Sequence, residues 1–176
     1  QRLMDSSLPD DPLSKVNACV SNVLRIWNET EEEHGTQLIF CDFSTPGKGF
    51  NLYDDIKEKL MDAGVPEDEI AFIHDADTEA KKAALFAKVR EGRVRVLMGS
   101  TQKMGAGTNV QDRLVASHDL DCPWRPADLE QRAGRIVRQG NRNSDVYIYR
   151  YVTEQTFDAY LYQTVENKQK FISQIM

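Results

Sequence analysis

Residues 128–142 read DLEQRAGRIVRQGNR, and within them Gln131, Arg132, Gly134, Arg135 and Arg138 form the pattern Q-R-x-G-R-x-x-R. A guanidinium is planar, pairs bidentately with phosphate and keeps its charge when water is removed. On a helix, Gln131, Arg135 and Arg138 fall at i, i+4 and i+7 and share one face. Two guanidiniums on such a stripe can grip a terminal phosphate and meet the charge that develops during phosphoryl transfer. Glycine at 134 lets a second backbone or a nucleotide come close. The plain alternative is an exposed basic helix whose arginines pair with Asp128 and Glu130.

A second segment, GSTQKMGAGTNV at 99–110, carries glycines at 99, 105 and 107 after an apolar run. Amides of such a loop can bind phosphate oxygens or a ribose. Thr101 adds a hydroxyl and Asn109 an amide, although a tight turn would use the same glycines. In DCPWRP at 121–126, two prolines frame Trp124 and Arg125, and the indole suits base stacking, a core or a hinge. Gly47-Lys48-Gly49 is not a phosphate-binding P-loop, because no glycine stands five residues ahead and no Ser or Thr follows the lysine. No complete P-loop occurs anywhere in the sequence. His34, His74 and His118 lack partners at metal-ligand spacing, and His118 reads as a packed strand residue.

These segments need a frame. Residues 13–33 have apolar positions at helical spacing, capped by Asp10 or Asp11 with Pro12 at the first position. Strands are predicted over 37–42, 69–74, 93–98, 113–118 and 145–152, and helices over 50–63, 78–91, from Pro126, and 154–175. Alternation of this kind builds right-handed βαβ units on a mostly parallel sheet, a three-layer α/β domain. Its working loops lie at the carboxyl ends of the strands. Ser44-Thr45, His74-Asp75, Gly99–Gly107 and Asp119–Arg125 would gather on that edge.

The chain has 176 residues, 40% hydrophobic and 28% charged, as expected of one soluble domain. Residues 1–11 read as a loose tail and 12–176 as the domain. No apolar run approaches the ~18 residues that span a bilayer, and no signal peptide is visible. An intracellular setting fits Cys19, Cys41 and Cys122, three separated cysteines that match neither a zinc spacing nor a disulfide framework. The net charge of −6 divides unevenly, −12 over residues 1–80 and +6 over 81–176. The second half therefore suits a nucleic-acid partner, or simply balances an acidic face. A first residue of glutamine suggests a piece of a longer protein.

In this order, LIFCDFS, GSTQKMGAGTNV and DLEQRAGRIVRQGN resemble motifs IV, V and VI of the second RecA-like domain of superfamily 2 helicases. The Swi/Snf-type DNA translocases are the most similar subfamily. Their motif V shares the Ser-Thr, Gly, Gly and Asn of residues 100–110, and Trp124-Arg125-Pro126 stands ahead of Gln131 as W-N-P does there. Residues 138–140 depart from it, reading Arg-Gln-Gly for R-I-G. Arg132 is a guanidinium more usual in viral and RNA helicases. The run P-W-x-P-x-D-L-E-Q-R is also similar to mobile-element proteins that fuse a helicase to an adenine-specific DNA methylase, although no methylase motif is present.

The resemblance implies a RecA-like fold of the P-loop NTPase type and specific roles. Arg135 and Arg138 would reach the γ-phosphate of ATP, with Gln131 setting the geometry. Gly105, Gly107, Asn109 and Arg132 would lie on the nucleotide side. Ser44, Thr45, Ser100 and Thr101 would touch the nucleic-acid backbone. An N-terminal RecA-like lobe would carry most of the ATP and its Mg2+, so the isolated chain should be inactive and no obligate oligomer is expected. DNA is the expected track, with RNA an alternative. The rival readings are a non-catalytic nucleic-acid or protein-binding module and a small α/β nucleotide-binding enzyme.

Overall fold

In the strand TQLIF, successive side chains point to opposite faces, yet all five positions are buried. A strand that hides both faces is typical of a parallel sheet covered on both sides. The computed structural model, which describes residues 10–11, 14–104, 108–123, 125–134, 138–152 and 160–168, has that architecture. Its elements are α1 (Lys15–Glu29), β1 (Thr36–Phe40), α2 (Leu52–Asp62), β2 (Ile70–Phe72), α3 (Glu79–Arg90), β3 (Val96–Gly99), β4 (Leu114–Asp119), α4 (Pro126–Gly134) and β5 (Tyr147–Arg150). A further helix, α5, runs over 160–168.

The five strands lie in the order β2-β3-β1-β4-β5, and every pairing is parallel. The chain travels to the β2 edge through α2 and comes back through α3. Crossovers of constant hand then put these helices on opposite faces. The core divides accordingly. Ile39, Val96 and Met98 pack with Val16, Val20 and Val23 of α1 and Tyr53, Ile56 and Leu60 of α2. Leu38, Phe40 and Leu97 pack with Val89 of α3. Each such fully buried side chain contributes about 1.5–3 kcal/mol. A third, smaller cluster joins Leu129 of α4 to Leu161, Tyr162 and Val165 of α5.

Local chemistry moves several boundaries. α1 is capped by Ser14, whose Oγ accepts from the Asn17 N–H at 3.2 Å, not by Asp10 or Asp11. It stops at Thr30, well before Gly35, because Arg95 takes over its carbonyls. The Arg95 side chain is 1% exposed and donates to Trp27 O at 2.7 Å and to Thr30 O and Gly35 O at 3.1 Å. The predicted strand over 69–74 yields after Phe72 to a 3-10 turn, Ile73–Asp75. The buried cysteines are free thiols, as small buried hydrophobes would be.

Candidate nucleic-acid interface and nucleotide edge

β1, the turn after β2, β3 and β4 all finish at one edge of the sheet, and there lies a groove of about 680 Å³. Asp42 and Thr45 follow β1, His74 follows β2, and Ser100, Thr101, Gln102 and Lys103 follow β3. Arg125, Asp128 and Gln131 come from the start of α4. Four of the expected residues, Thr45, Ser100, Thr101 and Gln131, are thus brought to one groove. Arg135, Gly105, Gly107 and Trp124 lie outside the described residues.

Beneath the groove sits Arg132, with its side chain 1% exposed. Its Nε donates to Thr101 Oγ1 at 2.7 Å, Nη1 to the Asp121 carbonyl at 2.7 Å, and Nη2 to Asp42 Oδ2 at 2.9 Å and Asp121 Oδ1 at 2.8 Å. Asp119 stands 3.5 Å from Nη1. The guanidinium also lies over the Phe40 ring, 5.3 Å from its centroid. Burial alone would push Arg132 down. The charges of Asp119, Asp121 and Asp42 outweigh that and hold it above its ordinary value. The residue expected on the nucleotide side is therefore engaged by its own chain. Its partners come from the ends of β1, β3 and β4, which it ties together.

The hydroxyls are also accounted for. Thr101 donates its N–H to Asp42 Oδ1 at 2.6 Å and its hydroxyl to Asp42 Oδ2 at 2.9 Å, so neither donor is left for a phosphate. Ser44 is buried, and its Oγ accepts the first N–H of α2, that of Leu52, at 2.9 Å. Ser100 accepts from the Lys103 N–H at 3.2 Å. Thr45 is exposed in the groove. Burial, and next the charge of Lys103, hold His74 below its ordinary value, so the groove carries it as a neutral ring near pH 7. Arg125 is 79% exposed and pairs with Asp128 at 3.1 Å.

Arg138 behaves differently from Arg132. It is exposed and lies in irregular backbone after α4, so it does not continue a helical stripe from Gln131. Tertiary hydrogen bonds replace helical ones here. Arg138 Nη1 donates to Thr108 O at 3.0 Å, Gln111 Nε2 to Gln139 O at 3.1 Å, and Asn141 Nδ2 to Leu114 O at 2.9 Å. These bonds lay residues 138–141 along the β3–β4 connection, where Asn109 is exposed and its carbonyl accepts from Arg90 Nη1 at 2.8 Å.

Sequence reading gave no role to Asp42, Asp119, Asp121, Arg150 or Tyr162. Asp121 Oδ2 accepts the N–H groups of Asp42 and Phe43 at 2.6 and 2.8 Å, and Tyr162 of α5 donates to the Asp121 carbonyl at 2.9 Å. Arg150 bridges Asp119 at 3.8 Å and Glu166 at 3.1 Å. The available signal was the acid that closes β1 and the two that close β4.

The family model "Helicase conserved C-terminal domain" matches residues 14–140. "Defense against restriction protein B" of Escherichia phage P1 is 32% identical over 92 residues, 52% of this chain and 4% of that protein. "Uncharacterized ATP-dependent helicase YqhH" of Bacillus subtilis (strain 168) is 37% identical over 79 residues, 44% of this chain and 13% of its length. Two solved structures share the fold. The C-terminal part of the Fun30 ATPase domain superposes with a TM-score of 0.68 at 19% identity, over 93% of this chain and 49% of that one. The DUF1998 helicase MrfA bound to DNA gives a TM-score of 0.61 at 13% identity, over 91% of this chain and 21% of that one. The chain thus spans a small part of its curated relatives and at most about half of these solved chains.

Proposed function

The chain belongs to the helicase conserved C-terminal domain family, and from that membership we propose that it is the second motor lobe of an ATP-dependent DNA helicase or translocase. The observation that carries the reading is the opposite treatment of two arginines from one motif. Arg132 is spent inside the chain, whereas Arg138 is exposed and anchored through Nη1 to Thr108 O. A guanidinium has five N–H donors in a fixed fork, so a side chain steadied by one bond keeps others for phosphate.

In this reading ATP is the substrate, and the opposite lobe of the same parent protein holds most of it together with Mg2+. Arg138 and Arg135 approach the γ-phosphate across the cleft and meet the charge that spreads over its oxygens. Gln131 sets the approach, while Gly105, Gly107 and Asn109 face the ribose side. Arg132 is a positioning residue that acts through Thr101 and Asp42. Phosphates of the DNA strand run along the groove, where Thr45, Ser100, Lys103 and Arg125 meet them without reading sequence. Ser44 and Thr101 shape the groove through their own hydrogen bonds. Closure of the lobes on ATP and release on hydrolysis alternate the grip. One solved neighbour is a helicase bound to DNA, which supports this choice of track.

The test is ATP hydrolysis by the parent protein alone and with duplex DNA, single-stranded DNA or RNA. Strong stimulation by DNA, as a duplex or as a single strand, is the expected result. Stimulation by RNA alone would move the motor to another substrate, and no hydrolysis under any condition would favour the binding-module reading. Arg138→Ala should abolish hydrolysis and leave DNA binding largely intact.

A further inference from the structure

Phe43 is 81% exposed, more than any other large hydrophobic side chain among the described residues. Single exposed apolar residues are common, but this one does not lie on loose chain. Its N–H donates to Asp121 Oδ2 at 2.8 Å, and the preceding N–H of Asp42 donates to the same oxygen at 2.6 Å. The other oxygen of Asp121 is held by Arg132 at 2.8 Å. The next residue, Ser44, is buried and fastened to the start of α2. The backbone that carries the ring is thus fixed on both sides, while the ring itself stands in water.

Its neighbours say what it faces. Asp42 and Thr45 both line the groove and Phe43 stands between them in the chain, so its backbone belongs to the rim, although the ring itself is not among the lining residues. Among the described residues, the ten that line the groove include no aliphatic side chain; they are cations, acids, amides, hydroxyls and one imidazole. Of the two acids, Asp42 shares Arg132 with Asp119 and Asp121, and Asp128 is paired with Arg125. Lys103, Arg125, Thr45 and Ser100 suit a row of phosphates. An aromatic side chain beside a polar track that carries exposed cations is an arrangement that binds single strands, with phosphates along the track and a base on the ring. In a duplex each base is already stacked on both sides, so a free ring needs an unstacked one.

We propose that Phe43 is a stacking platform for one unpaired base of a strand whose phosphates occupy the adjacent groove. The assignment rests on the nucleic-acid reading above and adds a base contact to its phosphate contacts. The ring is held in place before binding, so little ordering cost falls on the protein side. It reads no sequence, because every base has a π-face.

The test uses this chain and two labelled oligonucleotides of equal length, an intact single strand and one abasic throughout, with affinity read by anisotropy at one fixed salt concentration. Phe43→Ala should weaken binding of the intact strand roughly 5- to 150-fold, the range for loss of one base–aromatic stack. Binding of the abasic strand should not change, and Phe43→Trp should retain affinity for the intact strand. Thermal melts of the variants should match the wild type, since the ring is exposed. Equal losses on both strands, or no loss on either, would overturn the proposal and leave the phosphate groove standing. If affinity is unchanged but Phe43→Ala removes DNA-stimulated hydrolysis in the parent protein, the ring docks another lobe instead. A wild-type chain that binds neither strand would remove the nucleic-acid reading and this proposal with it.

Discussion

Arg132 donates its Nε–H to Thr101 Oγ1 at 2.7 Å, and the Thr101 hydroxyl donates in turn to Asp42 Oδ2 at 2.9 Å. Asp42 in turn is 2.9 Å from Arg132 Nη2, so the three side chains close a ring. That ring joins α4 to the ends of β1 and β3, and Asp119 and Asp121 extend it to β4. The loops that form the groove are therefore held by one buried charge.

Removal of that charge should be costly. Arg132→Met leaves Asp42, Asp119 and Asp121 without their shared cation, and the loss of one partner from a buried ion pair typically costs about 3–5 kcal/mol. The urea midpoint should fall accordingly at neutral pH. Arg132→Lys should recover only part of the loss, because three N–H donors on a point charge cannot serve the acceptors that the fork reaches. A neutral result for Arg132→Met would mean that the network does not hold the edge together.

Asp119 gives the same network a pH signature. Burial raises its carboxyl to about 6, against the lowering effect of Arg132 and Arg150, and Oδ1 has no hydrogen-bond partner. A carboxyl raised above its unfolded value of 3.8 favours the folded state at low pH, and that stability is lost as pH rises through about 6. Between pH 5 and pH 7.5 the loss from this group is on the order of 1 kcal/mol. Asp119→Asn should lack that term, so its stability relative to wild type should improve over that interval by about this amount. Urea titrations at the two pH values measure it.

The adjacent residue works with the opposite sign. Gln37 Nε2 donates to Val23 O at 3.0 Å, which leaves its Oε1 to accept from His118 Nε2 at 2.7 Å. His118 Nδ1 then accepts from the Tyr151 hydroxyl at 2.8 Å, and Asn22 donates to that same hydroxyl at 3.0 Å. The network thus assigns a neutral imidazole protonated on Nε2. Burial, and next the charge of Arg25, lower it to about 3. Stability from a neutral His is present above its unfolded value of 6.5 and is lost as pH falls below it. From pH 7.5 to pH 5 that loss is about 2 kcal/mol, opposite in sign to the change from Asp119. His118→Phe should be less stable at neutral pH, because Gln37 and Tyr151 lose their partner. The gap to wild type should narrow by about 2 kcal/mol at pH 5, and a gap of constant size would refute the assignment.

The parts of the fold legible in the sequence were those set by local pattern. QLIFCD could be read as a strand, Pro126 as the start of a helix, and the alternation of elements as a parallel sheet. The site was harder because its partners are distant in sequence. Arg132 meets acids at 42, 119 and 121, and nothing near position 132 marks it for burial. Arg138 was placed on a helical stripe by its spacing, but contacts with Thr108, Gln111 and Leu114 take its segment along the β3–β4 connection. The cap of α1 failed for a smaller reason: Ser14 and Asp11 are both good caps, and composition does not rank them.

The planar fork of Arg138 supplies the most discriminating functional test. If the residue merely adds positive charge near the nucleotide, Arg138→Lys in the parent protein should retain most DNA-stimulated hydrolysis. If it grips the γ-phosphate while Nη1 stays on Thr108 O, one ammonium cannot do both at the required separation. Loss of an arginine that stabilises the transferring phosphoryl group costs roughly 10³- to 10⁵-fold in rate. Arg138→Lys should therefore lie near Arg138→Ala in kcat, with DNA affinity close to wild type in both. Near-normal kcat in the lysine variant would assign Arg138 to the electrostatics of the edge and leave Arg135 as the residue to test for phosphate contact.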